Sequence, residues 1–292
     1  MFVQKPPKRI SAFTLMELLV VVAIIALLIS LLIPGLSMAR KHAKQIKAAG
    51  SVRQLLMAYT YYYTDNAQDL LWGYPPASVN GHPVLIRDSH SGYSFGWPIS
   101  SRYPWHIAPY VEKVWGVVYD HKKPPSLPDS SNTEDEAFSK AYALSISPSF
   151  GLNGIYLGGH SHAFYQGFIS VNGVMRPNVG SHVVYDADRV KKPATQIVFA
   201  ESSNWVQADV PEEAPGYHTA SPPIANGRIW QAENDTMVVV DEYRNIGLPR
   251  GRYTSKTVTG MFAGHVEMLS PYQLDDMNRW ANGSGKNSDF AR

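Results

Sequence analysis

From Phe13 to Ile33 the chain runs for 21 residues with a single charged side chain, Glu17, and neither proline nor glycine. At about 1.5 Å of rise per residue, such a run makes about 30 Å of helix, the thickness of a bilayer's hydrocarbon core. The length is that of a membrane span. An acidic residue at the centre of such a helix costs roughly 2.5 to 3.5 kcal/mol on insertion scales, so an ionisable group at this depth is read as functional. In front of the run, MFVQKPPKRISA carries Lys5, Lys8 and Arg9 and no acid. The positive-inside rule keeps that end in the cytoplasm and sends the remainder across. A secretory signal peptide fits less well, because its apolar region is typically about 7 to 15 residues and ends at small residues. Here Pro34 and Gly35 follow Ile33. A plain uncleaved anchor is the other alternative.

The rest of the chain has the composition of a folded, exported domain. With 292 residues, 45% hydrophobic and 12% aromatic, there is material for a core and for one or two domains. Three of the 26 basic residues lie in the leader, so 23 face 24 acidic residues from Phe13 onward, a net charge of −1 with His neutral. That balance argues against nucleic acid as a partner, since nucleic-acid-binding domains are usually strongly basic. The chain contains no cysteine, so the domain must rest on packing or bound ions in place of disulfides.

Beyond Pro34 and Gly35 a helical pattern resumes, with Val52, Leu55, Leu56, Tyr59, Tyr62 and Tyr63 on one face. Proline removes one backbone hydrogen bond and clashes with the preceding turn, which predicts a kink or local melting over residues 30–34. Arg40, Lys41, Lys44, Lys47 and Arg53 follow the span directly, against the positive-inside expectation for an exported side. A solvated face, or contact with lipid headgroups, is the favoured reading of this charge. Past residue 66, β-branched and aromatic runs predict strands over 115–119, 145–150, 181–185, 196–201, 237–242, 256–261 and 265–269. Few long helices are available for crossovers, so the sheet should be mainly antiparallel. Short helices are expected after Thr133, with Glu136 three residues on, and after Ser270. The fold class is α+β, a long N-terminal helix packed on a mainly antiparallel sheet. The expected divisions are a leader (1–12), a membrane and assembly helix (13–34), its exposed continuation (35–66) and an exported domain (67–292).

Ala12-Phe13-Thr14-Leu15-Met16-Glu17 resembles the processing site of type IV pilins and type II secretion pseudopilins. In that family a basic leader is cut just before Phe, and Glu stands at the fifth mature position, where Glu17 falls. Pro34 falls at mature position twenty-two, where many members carry proline. One position departs, since the family usually has Gly before the cut and this chain has Ala12. The resemblance implies that prepilin peptidase removes residues 1–12 and methylates the new amine of Phe13. That amine would lie at the membrane edge, where it can neutralise Glu17 of a neighbouring subunit, so Glu17 becomes a registry contact for assembly. The alternative for Glu17 is a carboxylate that snorkels to water. Implied partners are prepilin peptidase, other pilin or pseudopilin subunits, an inner-membrane assembly platform and the lipid bilayer. The implied location is the bacterial inner membrane, single-pass, with the domain on the periplasmic side.

The later chain is similar to a large group of pseudopilin-like proteins common in planctomycete-type genomes. Matching segments are 53–66, the aromatic stretch 105–110, Phe150-Gly151-Leu152-Asn153 and 192–201. That group carries His, nine residues, then Asp-Gly-His-Val. Here the motif is degenerate, with Tyr253 and Ala263 replacing the His and Asp before Gly264-His265-Val266. What survives is a tight turn at Gly264 between two strands.

Other constellations are weaker. His160 and His162 have strand spacing for a metal but no third ligand, and Asp186 with Asp188, or Asp275 with Asp276, lack the ordered spacing of a calcium loop. Caps and surface charges are the favoured reading of the aspartates, and no metal or cofactor is expected. The segment 72–115 is rich in aromatic residues, which exposed would stack on sugars or grip a secreted partner and buried would form core beneath long loops. Burial is favoured. No nucleophile elbow, phosphate loop or zinc-protease pattern occurs, so no catalytic residue is assigned. The expected function is that of a non-enzymatic pseudopilin-like subunit assembled through its N-terminal helix. The alternative is a membrane-anchored carbohydrate- or protein-binding module that does not polymerise.

Overall fold

The computed structural model describes residues 15–120, 123–160, 167–171, 174–178, 182–204, 215–225, 227–241 and 246–283. The leader, Ala12 and Phe13 therefore lie outside the described residues. One helix, Leu15–Asp65, runs for 51 residues. Its backbone stays helical through Pro34, so the expected local melting does not occur. Proline still offers no N–H to the Ser30 carbonyl one turn earlier. The helix ends where the Asn66 N–H and Nδ2 both donate to the Tyr62 carbonyl, at 3.0 and 2.7 Å, and Ala67 and Gln68 turn left-handed.

The chain divides into two compact units, residues 1–43 and 44–292. In the first, every described residue is exposed, including the whole leucine, valine and isoleucine run. In the second, residues 44–65 bury Gln45, Ala48, Ser51, Val52, Leu55, Leu56, Ala58 and Tyr59. Those positions recur every three or four residues and form one face of the helix, as the sequence period requires.

That face covers a four-stranded antiparallel sheet in the spatial order Val266–Leu269, Thr257–Met261, Ile197–Glu201, Phe150–Leu152. The two central strands are buried at every residue. One face of the sheet meets the helix, where Tyr59 packs edge-on to Phe199 and Phe262 and Tyr63 stacks on Phe262 at 5.7 Å. The other face is closed by Trp230, Leu274, Met277 and Trp280 around Ile197, Met261 and Leu269. Fold class and sheet direction are thus as the sequence indicates.

Local chemistry explains the smaller elements. Thr133 and Glu136 exchange hydrogen bonds in a capping box that starts the helix Glu134–Ile146, and Ser270 with Gln273 does the same for Pro271–Leu274. Asn234 and Asp235, both at positive φ, close the hairpin Trp230–Glu233 with Thr236–Val239. Gly264, at φ +88°, turns the strand Thr257–Met261 back into Val266–Leu269.

Three expected strands differ. Residues 115–118 fall in the helix Val114–Val118, with Tyr119 at its C-cap; Trp115 packs against Trp105, 4.8 Å away between ring centres, and packing overrides the β preference of valine. Residues 145–150 contain the end of the helix Glu134–Ile146 and only the first residue of a strand. Over 182–185 there is a lone bridge from Val184 to Leu157 in place of a strand.

The helix comes close to the sheet at Gly260, where an added Cβ would lie 2.6 Å from Val52 Cγ1 and 3.0 Å from Leu56 Cδ1. The β-branched Val52 has little rotamer freedom with which to yield. Gly260→Ala should therefore destabilise the domain by about 1 to 3 kcal/mol, as overpacking of a filled core does. Thermal unfolding of the detergent-solubilised protein, followed by near-ultraviolet circular dichroism, measures the loss.

Candidate functional site

Two regions carry candidate function, the apolar first unit and the polar residues that tie residues 44–65 into the second. In the first unit, residues 15–33 present leucine, valine, isoleucine and alanine around the whole circumference of the helix. A helix that is apolar all round requires an apolar surrounding, and this one is long and apolar enough to cross a bilayer. Glu17 lies in the first turn of the described helix, exposed on its surface. Ser30, a polar residue within the apolar run, donates its hydroxyl to the Leu27 carbonyl at 2.7 Å, which satisfies the hydroxyl within the helix.

In the second unit, Gln45 Nε2 donates to Thr254 Oγ1 at 2.7 Å and to the Lys256 carbonyl at 3.3 Å. The Lys47 ammonium donates to the Asp120 main-chain carbonyl at 3.0 Å and stands equally close to its Oδ1. The contact to the carboxylate is an ion pair, since the directed hydrogen bond goes to the carbonyl. The Asp120 carboxylate is buried and also accepts the Tyr253 hydroxyl at 3.1 Å, while Lys44 Nζ stands 5.7 Å from the centre of the Tyr253 ring. Two of the five cations expected on a solvated face are therefore committed to this collar.

Beneath the collar lies Glu201, fully buried at the end of a central strand. Its Oε2 accepts the Val258 N–H at 2.8 Å, while Oε1 is enclosed without a hydrogen-bond partner. Burial pushes this carboxyl up to about 7, against the pull of the Val258 N–H and the Arg252 guanidinium. The neighbouring Asp120 charge pushes it further up. Below about pH 4.5 the group is protonated in the folded and unfolded states alike. Between there and about pH 7 the folded protein retains a proton that the unfolded chain has released, so stability falls as pH rises. The loss is complete above the folded value and is on the order of 3 kcal/mol. Raising the pH from about 5 to about 8 should thus lower the melting temperature, and Glu201→Gln should flatten that slope. Calorimetry of both proteins across the range tests this.

The other residues singled out by the sequence take separate places in the folded chain. Ala263 donates its N–H to the Pro193 carbonyl in the turn before Gly264, apart from Tyr253 in its collar. Asn153 is buried and clamps two segments by donating to the carbonyls of Ile197 and Trp280 at 2.9 and 2.8 Å. Asp186 Oδ1 caps the Asp188 N–H, and Asp276 Oδ1 caps Asn278. Asp275 accepts from Arg228 and from the Ala232 N–H. These carboxylates serve as caps and ties. His160 is buried and stacked on Tyr74, whereas His162 lies outside the described residues. Of the aromatic segment, Phe95, Tyr103 and Trp105 are core, while Trp97 is 54% exposed. Asp120, Glu201 and Arg252 lie far apart in sequence and share no spacing, so no local pattern marks them.

Compared with known families, residues 7–33 match the one described as the prokaryotic N-terminal methylation motif. The match spans the second half of the leader and the apolar run, and it supports a type IV pilin-like, processed subunit with a single-pass membrane anchor. Such a motif implies processing by prepilin peptidase. No significant match was found among curated proteins or solved structures.

Proposed function

We propose that the chain is a non-enzymatic pseudopilin-like subunit, cut between Ala12 and Phe13, methylated on the new amine of Phe13, and assembled through its N-terminal helix. The product would be a type II secretion pseudopilus or a type IV pilus-like fibre. The observation that carries this reading is the coincidence of the methylation motif over residues 7–33 with a helix whose described residues are all exposed through Ala43. Such a surface finds apolar partners first in lipid and then in the helices of neighbouring subunits.

In this reading the residues have distinct tasks. Cleavage on the cytoplasmic side creates a cationic amine on Phe13, and pairing of that amine with Glu17 of a neighbour fixes the axial register of subunits. Helices that share only apolar contacts have little to resist sliding past one another, whereas a charge pair in low dielectric has one favourable register. Pro34 leaves the Ser30 carbonyl without its usual donor and weakens the helix at that turn, giving a hinge where the span ends. The protein would sit in the bacterial inner membrane with its domain on the periplasmic side, meeting prepilin peptidase, an assembly platform and other subunits. Tyr253 and Ala263 fit a degenerate form of the planctomycete-type His and Asp motif, with Tyr253 turned to a structural use by its bond to Asp120.

Mass spectrometry of the purified membrane protein should find N-methyl-Phe13 as its first residue, and an intact Met1 or a cut beyond Pro34 would overturn the processing step. Glu17→Gln removes the charge at nearly constant shape. It should lower incorporation into cross-linked multimers by about tenfold, the equivalent of about 1.4 kcal/mol, while leaving the membrane-bound amount unchanged. Unaltered multimers would remove the registry role.

A further inference from the structure

A cavity of about 340 Å³ lies in the second unit, lined in part by Tyr74, Trp97, Arg102, Tyr142, His160 and His218. That is within the size range of small-molecule sites. Its charge is unusual. Arg102 is only 5% exposed, and its guanidinium is held over the Tyr142 ring at 4.4 Å and donates from one terminal nitrogen to Ser145 Oγ at 2.7 Å. Both contacts are with neutral groups. Its Nε is enclosed without any hydrogen-bond partner, and no carboxylate pairs with it among the described residues. Among the described residues, no acidic side chain lines the cavity. An arginine remains charged at every accessible pH, and a buried charge is costly unless something neutralises it.

The walls are aromatic. Tyr74 stacks with His160 at 5.2 Å and with His218 at 5.8 Å between ring centres, contacts that restrain the orientation of its ring. Trp97 stands at the solvent side with more than half its surface open. Flat faces around a fixed cation suit a ligand that has a ring with an apolar face and carries an anionic group. The two histidines add no negative charge in either protonation state.

We infer that this cavity binds a carboxylated sugar ring, with the anion neutralising Arg102 and the ring lying against Trp97. The site is independent of assembly, because none of its residues belongs to the N-terminal helix. It would let the exported domain hold an acidic glycan unit whether or not the subunit polymerises.

Titration calorimetry on the full-length protein in detergent micelles, with galacturonate, methyl galactoside and inorganic sulfate as probes, tests the inference. Galacturonate should bind at least about tenfold more tightly than either the neutral sugar or sulfate. Arg102→Met should abolish the preference over methyl galactoside, and Arg102→Lys should restore part of it. Trp97→Ala, at an exposed position, should weaken both sugars alike. Equal binding of charged and neutral sugar by the wild-type protein would overturn the proposal, independently of whether the Arg102 variants fold. So would sulfate binding as tightly as galacturonate, or an unchanged preference in folded Arg102→Met.

Discussion

The structure of the second unit depends on the contact between residues 44–65 and the strand Thr257–Met261. Gly260 lets the helix come within van der Waals reach of the strand, and Val52, Leu55, Leu56 and Tyr59 fill what would otherwise be an exposed sheet face. Each such side chain contributes about 1.5 to 3 kcal/mol on burial, set against the entropy of ordering it. With no cysteine in the chain, no disulfide can substitute for that contact. The segment after the span is thus part of the core, and a truncation that treats it as a tether would strip the sheet of its cover.

The collar gives this packing its register. Hydrophobic contacts alone tolerate rotation or sliding of a helix by part of a turn, whereas Gln45 and Lys47 must meet Thr254 and Asp120 at defined positions. The ion pair is half in solvent on the lysine side, so its net worth is small. Its value lies in position. Glu201 is the opposite case, buried beside a positive and a negative neighbour, and it ties stability to pH without touching solvent.

Much of this arrangement is legible in the sequence because it rests on short-range patterns. The apolar run, the helical spacing of Val52, Leu55, Leu56 and Tyr59, the two capping boxes and the turn at Gly264 each state their structure within a few residues. The failures have a common cause. Residues 115–119 look like a strand by composition, yet Trp115 is placed by Trp105 from another turn of chain. Asp120, Glu201, Arg252 and Tyr253 meet across separations of 50 to more than 130 residues, so no local spacing announces them. Arg102 is equally silent in sequence, since an arginine between a serine and a tyrosine gives no hint that it will be enclosed with no counter-charge among the described residues. The residues proposed for processing and assembly are the reverse: Ala12, Phe13 and Glu17 are recognisable from order alone, because the motif they belong to is a short contiguous pattern.

The five cations after the span illustrate how a topological expectation and a folded structure answer to different stages. Orientation is set during insertion, when the domain is unfolded and Lys44 and Lys47 have yet to meet Tyr253 and Asp120, so pairing in the native state cannot reduce their effect. The rule counts charge within about 15 to 20 residues of a span's ends, so Arg40, Lys41, Lys44 and Lys47 weigh against export, while the remainder of a long domain translocates largely regardless of its charge. In the orientation proposed, Lys5, Lys8 and Arg9 hold the leader inside against those four cations. In the folded state Lys44 and Lys47 serve the collar, which leaves Arg40, Lys41 and Arg53, all exposed, as the residues whose charge faces solvent or lipid headgroups.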